Sequence, residues 1–263
     1  MRSSPKDLTR QVANALIIPI AIAVSFWPRR GGHDIGDIAR QSEPLLTAAG
    51  WAFSIWGLIF AGQLAYAVYQ ALPSQRANPV LRRVGEFTAL ACLGGGLWTA
   101  FFTAEMFAAA WVTMLLTLGA LIAVEVQLGN AARHGRELWL IRLPFALNLG
   151  WVSVATILNS AHFFSNSWGW NGEPATPLFW ALLMTGVATT LGVVMAVFRR
   201  NLAYAAAVAW GLAGIAAEKR FDEPSLSALA AVGAVLLSGL VVGEGVAMWR
   251  GRLSVDVGTP HGV

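Results

Sequence analysis

Trp151, Ala155, Asn159 and His162 stand at i, i+4, i+8 and i+11 in one apolar stretch, a spacing that puts all four on a single helix face. Such a face offers an aromatic plane, a small gap and a polar end. Indole rings stack on a flat apolar molecule and exclude water without needing a charged partner. Asn159, inside an apolar span, must find a hydrogen-bond partner, on a neighbouring helix or on a ligand. Two other segments concentrate aromatic residues: Gly50-Trp51-Ala52-Phe53-Ser54-Ile55-Trp56, and Trp98 with Phe101 and Phe102. This is the chemistry of binding. No nucleophile elbow, P-loop, zinc spacing or dinucleotide fingerprint occurs, so no catalytic residue and no metal ligand is assigned, and an enzyme reading has little footing. Of the histidines His33, His134, His162 and His261, which could in principle ligate haem iron or a metal, His162 alone is near the aromatic face. A lone histidine at a helix end reads first as a solvated or capping residue. Glu105, Glu125, Glu218 and Glu244 fall near the ends of apolar spans, where they reach water or an arginine; one facing the bundle centre would instead mark a proton relay or ion pathway.

The elements that position these residues follow from composition. The 263-residue chain is 56% hydrophobic and 12% charged, against about 25% charged in an ordinary globular domain. That is too little charge to clothe a water-facing surface, which excludes a soluble enzyme. Apolar stretches over residues 11–27, 50–72, 86–104, 106–128, 138–163, 177–198, 201–217 and 225–249 each approach the roughly 20 residues that cross a bilayer. The first follows Arg2, Lys6 and Arg10 but ends in Phe26-Trp27-Pro28-Arg29-Arg30, without the small residues of a cleavage site, and reads as a retained anchor. With eight spans, one side collects Arg2, Lys6, Arg10, Arg76, Arg82, Arg83, Arg133, Arg136, Arg142, Arg199, Arg200, Arg250 and Arg252, and the other collects Arg29, Arg30, Arg40, Lys219 and Arg220. This asymmetry predicts both termini on the cytoplasmic side. An all-helical chain in a bacterium belongs to the inner membrane, since the outer one holds barrels. The net charge of +4 therefore reports topology, and no nucleic acid is expected. The lone Cys92 forbids an internal disulfide and reads as a packing residue.

Tryptophan belts form at both faces of a bilayer, but these tryptophans are lopsided. Trp27, Trp51, Trp56, Trp98, Trp111, Trp168, Trp170, Trp180 and Trp210 fall in the outer half, against Trp139 and Trp249 at the inner ends. The bias has two readings, anchoring with packing, or the lining of a shared cavity.

At these residues the chain resembles the tryptophan-rich sensory protein family, TspO, whose mitochondrial member is the translocator protein, or peripheral benzodiazepine receptor. The fifth span carries the most specific likeness: Pro144, Phe145, Trp151, Val152, Ala155, Thr156, Leu158 and Asn159 resemble the family's Pro-Tyr-x-x-Trp-Val-x-Phe-Ala-Thr-x-Leu-Asn run, with extra residues between Phe145 and Trp151. Trp51, Phe53 and Trp56 answer its Trp-x-Phe…Trp pattern at the second helix, and Trp98, Phe101 and Phe102 its aromatic end to the third. The likeness spans residues 11–163. It implies a five-helix bundle over residues 1–163, with residues 28–49 as a lid, enclosing a pocket for tetrapyrroles and other flat apolar ligands. Carried over by position, the implied ligand-binding residues are Trp51, Phe53, Trp56, Trp98, Phe102, Trp151, Ala155 and Asn159.

Several features depart from the family pattern. Trp51 and Trp56 are one residue closer than usual, and Gly95 stands where small members place a polar asparagine. Ala161-His162-Phe163-Phe164 replaces the tyrosine and basic residue of a proposed sterol motif, which demotes sterol. Small members also end after five helices, whereas residues 164–176 here read as an outer loop and 177–263 as three further spans. The resulting expectation is an all-α integral membrane protein of about eight helices that binds a tetrapyrrole-like or other flat hydrophobic ligand, porphyrin or haem being the candidates, for sensing, sequestration or transport. The alternatives are a secondary transporter or channel for a small solute, or a structural subunit. For the last, the small residues of the final spans would dock a second copy or another membrane chain.

Overall fold

The computed structural model describes residues 4–26, 35, 38, 46–170 and 172–257. Trp27, Arg29, Arg30, His33, Arg40, His261 and most of the expected lid lie outside the described residues. Among the described residues, no strand occurs and eight apolar helices follow one another: α1 (Pro5–Ser25), α2 (Ile55–Ala71), α3 (Pro79–Thr103), α4 (Phe107–Leu128), α5 (Leu143–Trp168), α6 (Pro177–Val197), α7 (Leu202–Glu218) and α8 (Pro224–Val257). Seven of the apolar helical segments are long enough to cross a membrane, and α7, with 17 residues, is shorter. The chain is an all-α, multi-pass integral membrane protein.

Local chemistry sets the helix limits. Proline sits in the first turn of α1, α3 and α6, where its missing N–H is no loss. Asn78, Thr176 and Asn201 cap α3, α6 and α7, their side-chain oxygens accepting from the N–H groups of Val80 (2.8 Å), Phe179 (3.1 Å) and Tyr204 (3.1 Å), donors that would otherwise be orphaned. α2 is entered through a 3-10 turn, Gly50–Ser54. α5 is entered through a π-turn, Leu138–Arg142, just ahead of Pro144, which has no N–H to continue a regular turn. The helix then runs to Trp168 and ends on left-handed Gly169, five residues beyond the apolar stretch that marks it in the sequence.

α1 packs on α2 and α3, α3 on α4, α4 on α5, and α2 on α5, so the first five helices close on themselves; α7 then packs on α5, with α6 and α8 on α7. At Gly150 of α5 the Tyr204 backbone and Ala207 of α7 come so close that an added methyl group would collide with them. Gly214 of α7 meets Ala48 and Ala52 in the same way. Its carbonyl accepts from the Ala49 N–H at 3.0 Å, and Trp210 Nε1–H donates to the Ala52 carbonyl at 2.8 Å. The last three helices are thus fastened to the segment that opens α2.

Antiparallel succession gathers Arg10, Arg76, Arg82, Arg133, Arg142 and Arg199 at one end of the molecule, and Trp51, Trp56, Trp98, Trp111, Trp168, Trp170 and Trp180 toward the other. The arginine-rich end is tied by polar contacts: Asp7 pairs with Arg82 (2.6 Å), Gln11 donates to the Gln70 carbonyl (2.7 Å), and Asn14 donates to the Gly85 carbonyl (2.7 Å). Elsewhere Leu58, Val68, Leu116 and Val235 stand exposed, as lipid-facing positions require.

Candidate functional site

The α5 face identified in the sequence turns inward as a unit: Trp151, Ala155, Asn159 and His162 are all buried and all line one cavity. α3 brings Trp98 and Phe102 to it, and the turn before α2 brings Phe53. Leu158, with Ile35, Thr47 and Ala48 from the connection after α1, completes the wall. The cavity measures about 20 Å³, room for roughly one water molecule.

Ring geometry organises the wall. Phe60, Trp56, Trp98 and Phe102 form a continuous stack, with centroid separations of 5.2, 6.0 and 5.2 Å and interplanar angles of 25–26°. Trp151 meets this stack edge-on, 6.3 Å from Trp56, and also meets Phe53 edge-on at 5.7 Å. These are the separations and tilts aromatic pairs prefer. The Asn159 question is answered by a helix: Trp98 Nε1–H donates to Asn159 Oδ1 at 2.8 Å, and Asn159 Nδ2 donates back to the Ala155 carbonyl at 2.8 Å. Trp98 is thereby locked with its face along the stack.

Of the eight residues carried over from the resemblance, Phe53, Trp98, Phe102, Trp151, Ala155 and Asn159 line this cavity. Trp56 stands behind it, stacked on Trp98, and lines a second cavity of about 10 Å³ with Gly95, Gln63 and Asn148. Gly95, the position that lacks the family's asparagine, thus faces amide groups supplied by α2 and α5 instead. Trp51 is elsewhere: it is half-exposed and meets Trp210 edge-on at 4.9 Å.

His162 corrects an expectation. It is neither solvated nor a cap but lies inside α5, 3% exposed, stacked on Phe107 at 5.8 Å and edge-on to Phe102 at 5.5 Å. Its Nδ1 and the Trp151 Nε1 have no hydrogen-bond partner among the described residues. The site therefore keeps uncommitted polar atoms in an apolar wall, which is the usual make-up of a small-molecule pocket. Thr47 and Ala48 carry no such sequence signal, being ordinary residues placed by the fold. Among the described residues, no cluster of three or more His, Cys, Asp or Glu side chains could hold a metal.

Eight apolar helices, with an aromatic cavity between α3, α5 and the turn before α2, define a multi-pass membrane protein of the tryptophan-rich kind. The chain belongs to the TSPO-like protein family, whose match covers residues 11–243, from the first helix into the eighth. No curated protein and no solved structure matches it.

Proposed function

We propose that this protein binds a flat hydrophobic molecule of the tetrapyrrole kind between α2, α3 and α5, for sensing, sequestration or transport. One observation carries the reading. Phe53, Trp98, Phe102 and Trp151, from three separate stretches of the sequence, meet at one cavity whose polar groups are few and buried. Binding at such a wall needs ring stacking and water exclusion more than charge. Because the cavity holds only about 20 Å³, binding a tetrapyrrole requires its wall to open.

The test is quenching of tryptophan fluorescence by protoporphyrin. Saturable quenching in the micromolar range is expected, weakened about 2- to 10-fold by Trp151→Phe, the equivalent of losing roughly 0.5–1.5 kcal/mol of aromatic contact. Ala155→Leu, which fills the gap beside the ring, weakens it further. Trp51→Phe leaves affinity unchanged, because Trp51 is off the cavity. Saturable quenching indifferent to both Trp151→Phe and Ala155→Leu would overturn the assigned site.

We also propose that the arginine-rich end faces the cytoplasm of a bacterial inner membrane, on the charge asymmetry alone. Cys92 is buried, so introduced cysteines report cleanly. An impermeant maleimide added outside intact cells should label Arg220→Cys and not Arg200→Cys, and the reverse pattern would invert the topology.

A further inference from the structure

The arginine-rich end holds a charge cluster separate from the aromatic cavity. Arg142, in the π-turn before α5, is 6% exposed; its guanidinium donates to the Gly129 carbonyl at 2.7 Å and lies 3.4 Å from Glu125 Oε1 of α4. Arg199, just past the end of α6, approaches the same Oε1 at 4.0 Å, and Arg133 donates to the Arg199 carbonyl at 3.3 Å. Arg142 and Arg199 thus share one carboxylate, and Arg133 adjoins them through the Arg199 backbone, so these three cations and one carboxylate carry a net charge of two. The Nε atoms of Arg133 and Arg142 have no partner among the described residues. The cluster runs from the protein interior to its surface, because the Arg199 side chain is 45% exposed.

Cations held side by side repel one another unless an anion meets them. A neighbour sets the depth at which such an anion lies: Trp139 is 65% exposed, and an exposed tryptophan ring sits at the headgroup level of a bilayer. Phosphate is the anion of that layer, and its oxygens match the forked N–H groups of arginine. We infer that Arg133, Arg142 and Arg199 form a binding site for a phosphate group, supplied by an anionic phospholipid headgroup at the seam of α4, α5 and α6. Glu125 orders the guanidiniums, and the lipid phosphate completes the charge balance.

The full-length protein in neutral detergent tests this, read by thermal unfolding and by lipid retained in native mass spectrometry. Phosphatidylglycerol should raise the unfolding midpoint and be retained in preference to phosphatidylcholine. Arg199→Gln, a change at a half-exposed side chain, should cut that preference about fivefold, the equivalent of roughly 1 kcal/mol for one cation near the membrane surface. Arg220→Gln, at the opposite end, should leave it intact. Stabilisation by inorganic phosphate that Arg199→Gln removes, without preference between lipids, would assign the site to a free anion instead. Equal retention of both lipids with no response to phosphate, or a preference unchanged in both Arg199→Gln and Arg133→Gln, would overturn the site.

Discussion

Trp98 and Asn159 join α3 to α5 through a single side-chain hydrogen bond, and that bond sets the plane on which Trp56 and Phe102 stack. Asn159→Leu removes the acceptor and leaves an indole N–H buried without a partner. Side-chain hydrogen bonds between membrane helices are worth about 0.6 kcal/mol on average and reach roughly 1.7. The expected outcome is a stability loss within that range by thermal unfolding in detergent, together with weaker protoporphyrin quenching, since the ring loses its orientation. A variant with native stability and native quenching would show that the stack holds itself. The face bearing Asn159 is legible from spacing alone, whereas the identity of its partner is not, because Trp98 lies 61 positions away in sequence. The sequence hides the burial of His162 for a local reason. The apolar run fades near residue 163, so the histidine reads as terminal, yet Phe163, Phe164 and Trp168 continue the helix by packing on Trp111 and on one another.

Among the helices, α5 works hardest, with one face on the aromatic cavity and another against α7. Gly150 permits the second contact, because there the helix backbones approach within the space a methyl group would take. Gly150→Val should destabilise by about 1–3 kcal/mol, the usual cost of overpacking, and should reduce ligand quenching only as far as Trp151 shifts with its helix. Thermal unfolding with parallel quenching titrations separates the two effects. The π-turn at the start of α5 matters for a different reason. It sets Arg142 beside Glu125 at 3.4 Å, in a place where both side chains are 8% exposed. Glu125→Gln keeps an acceptor oxygen but leaves that guanidinium without its counter-charge, and the loss of one charged partner from a buried pair costs about 3–5 kcal/mol. A thermal unfolding midpoint unchanged by Glu125→Gln would mean that the Gly129 carbonyl suffices. Hydropathy made the eight helices legible in the sequence, since length and apolarity suffice to mark a span. The π-turn and the close glycine contact are set by tertiary packing and leave no periodic trace.

The molecule as a whole is organised around α7, which falls short of a full span. α7 has 17 residues, and Tyr204, Ala205, Ala207, Val208, Ala209, Gly211, Leu212, Gly214 and Ile215 are buried, so most of its circumference meets protein. A helix screened in this way need not match the hydrocarbon thickness, which removes the reason for a full span. The family match runs across both halves of the chain, in keeping with a final trio that closes the wall of the first five helices. Ala48 lines the aromatic cavity, while the adjacent Ala49 is hydrogen-bonded to Gly214 of α7. The cavity wall is therefore braced from behind by the C-terminal helices. A chain truncated after Trp170 loses that brace, uncovers Gly150 and its neighbours, and frees the Ala49 N–H and Ala52 carbonyl that α7 now satisfies. The truncated chain should aggregate or run polydisperse on size-exclusion chromatography in a detergent that keeps the full chain monodisperse. If it were monodisperse and quenched by protoporphyrin with unchanged affinity, α6, α7 and α8 would be a separable addition to a five-helix binder. Loss of affinity in a monodisperse truncation would instead place the brace behind Ala48 and Ala49 among the determinants of the cavity itself.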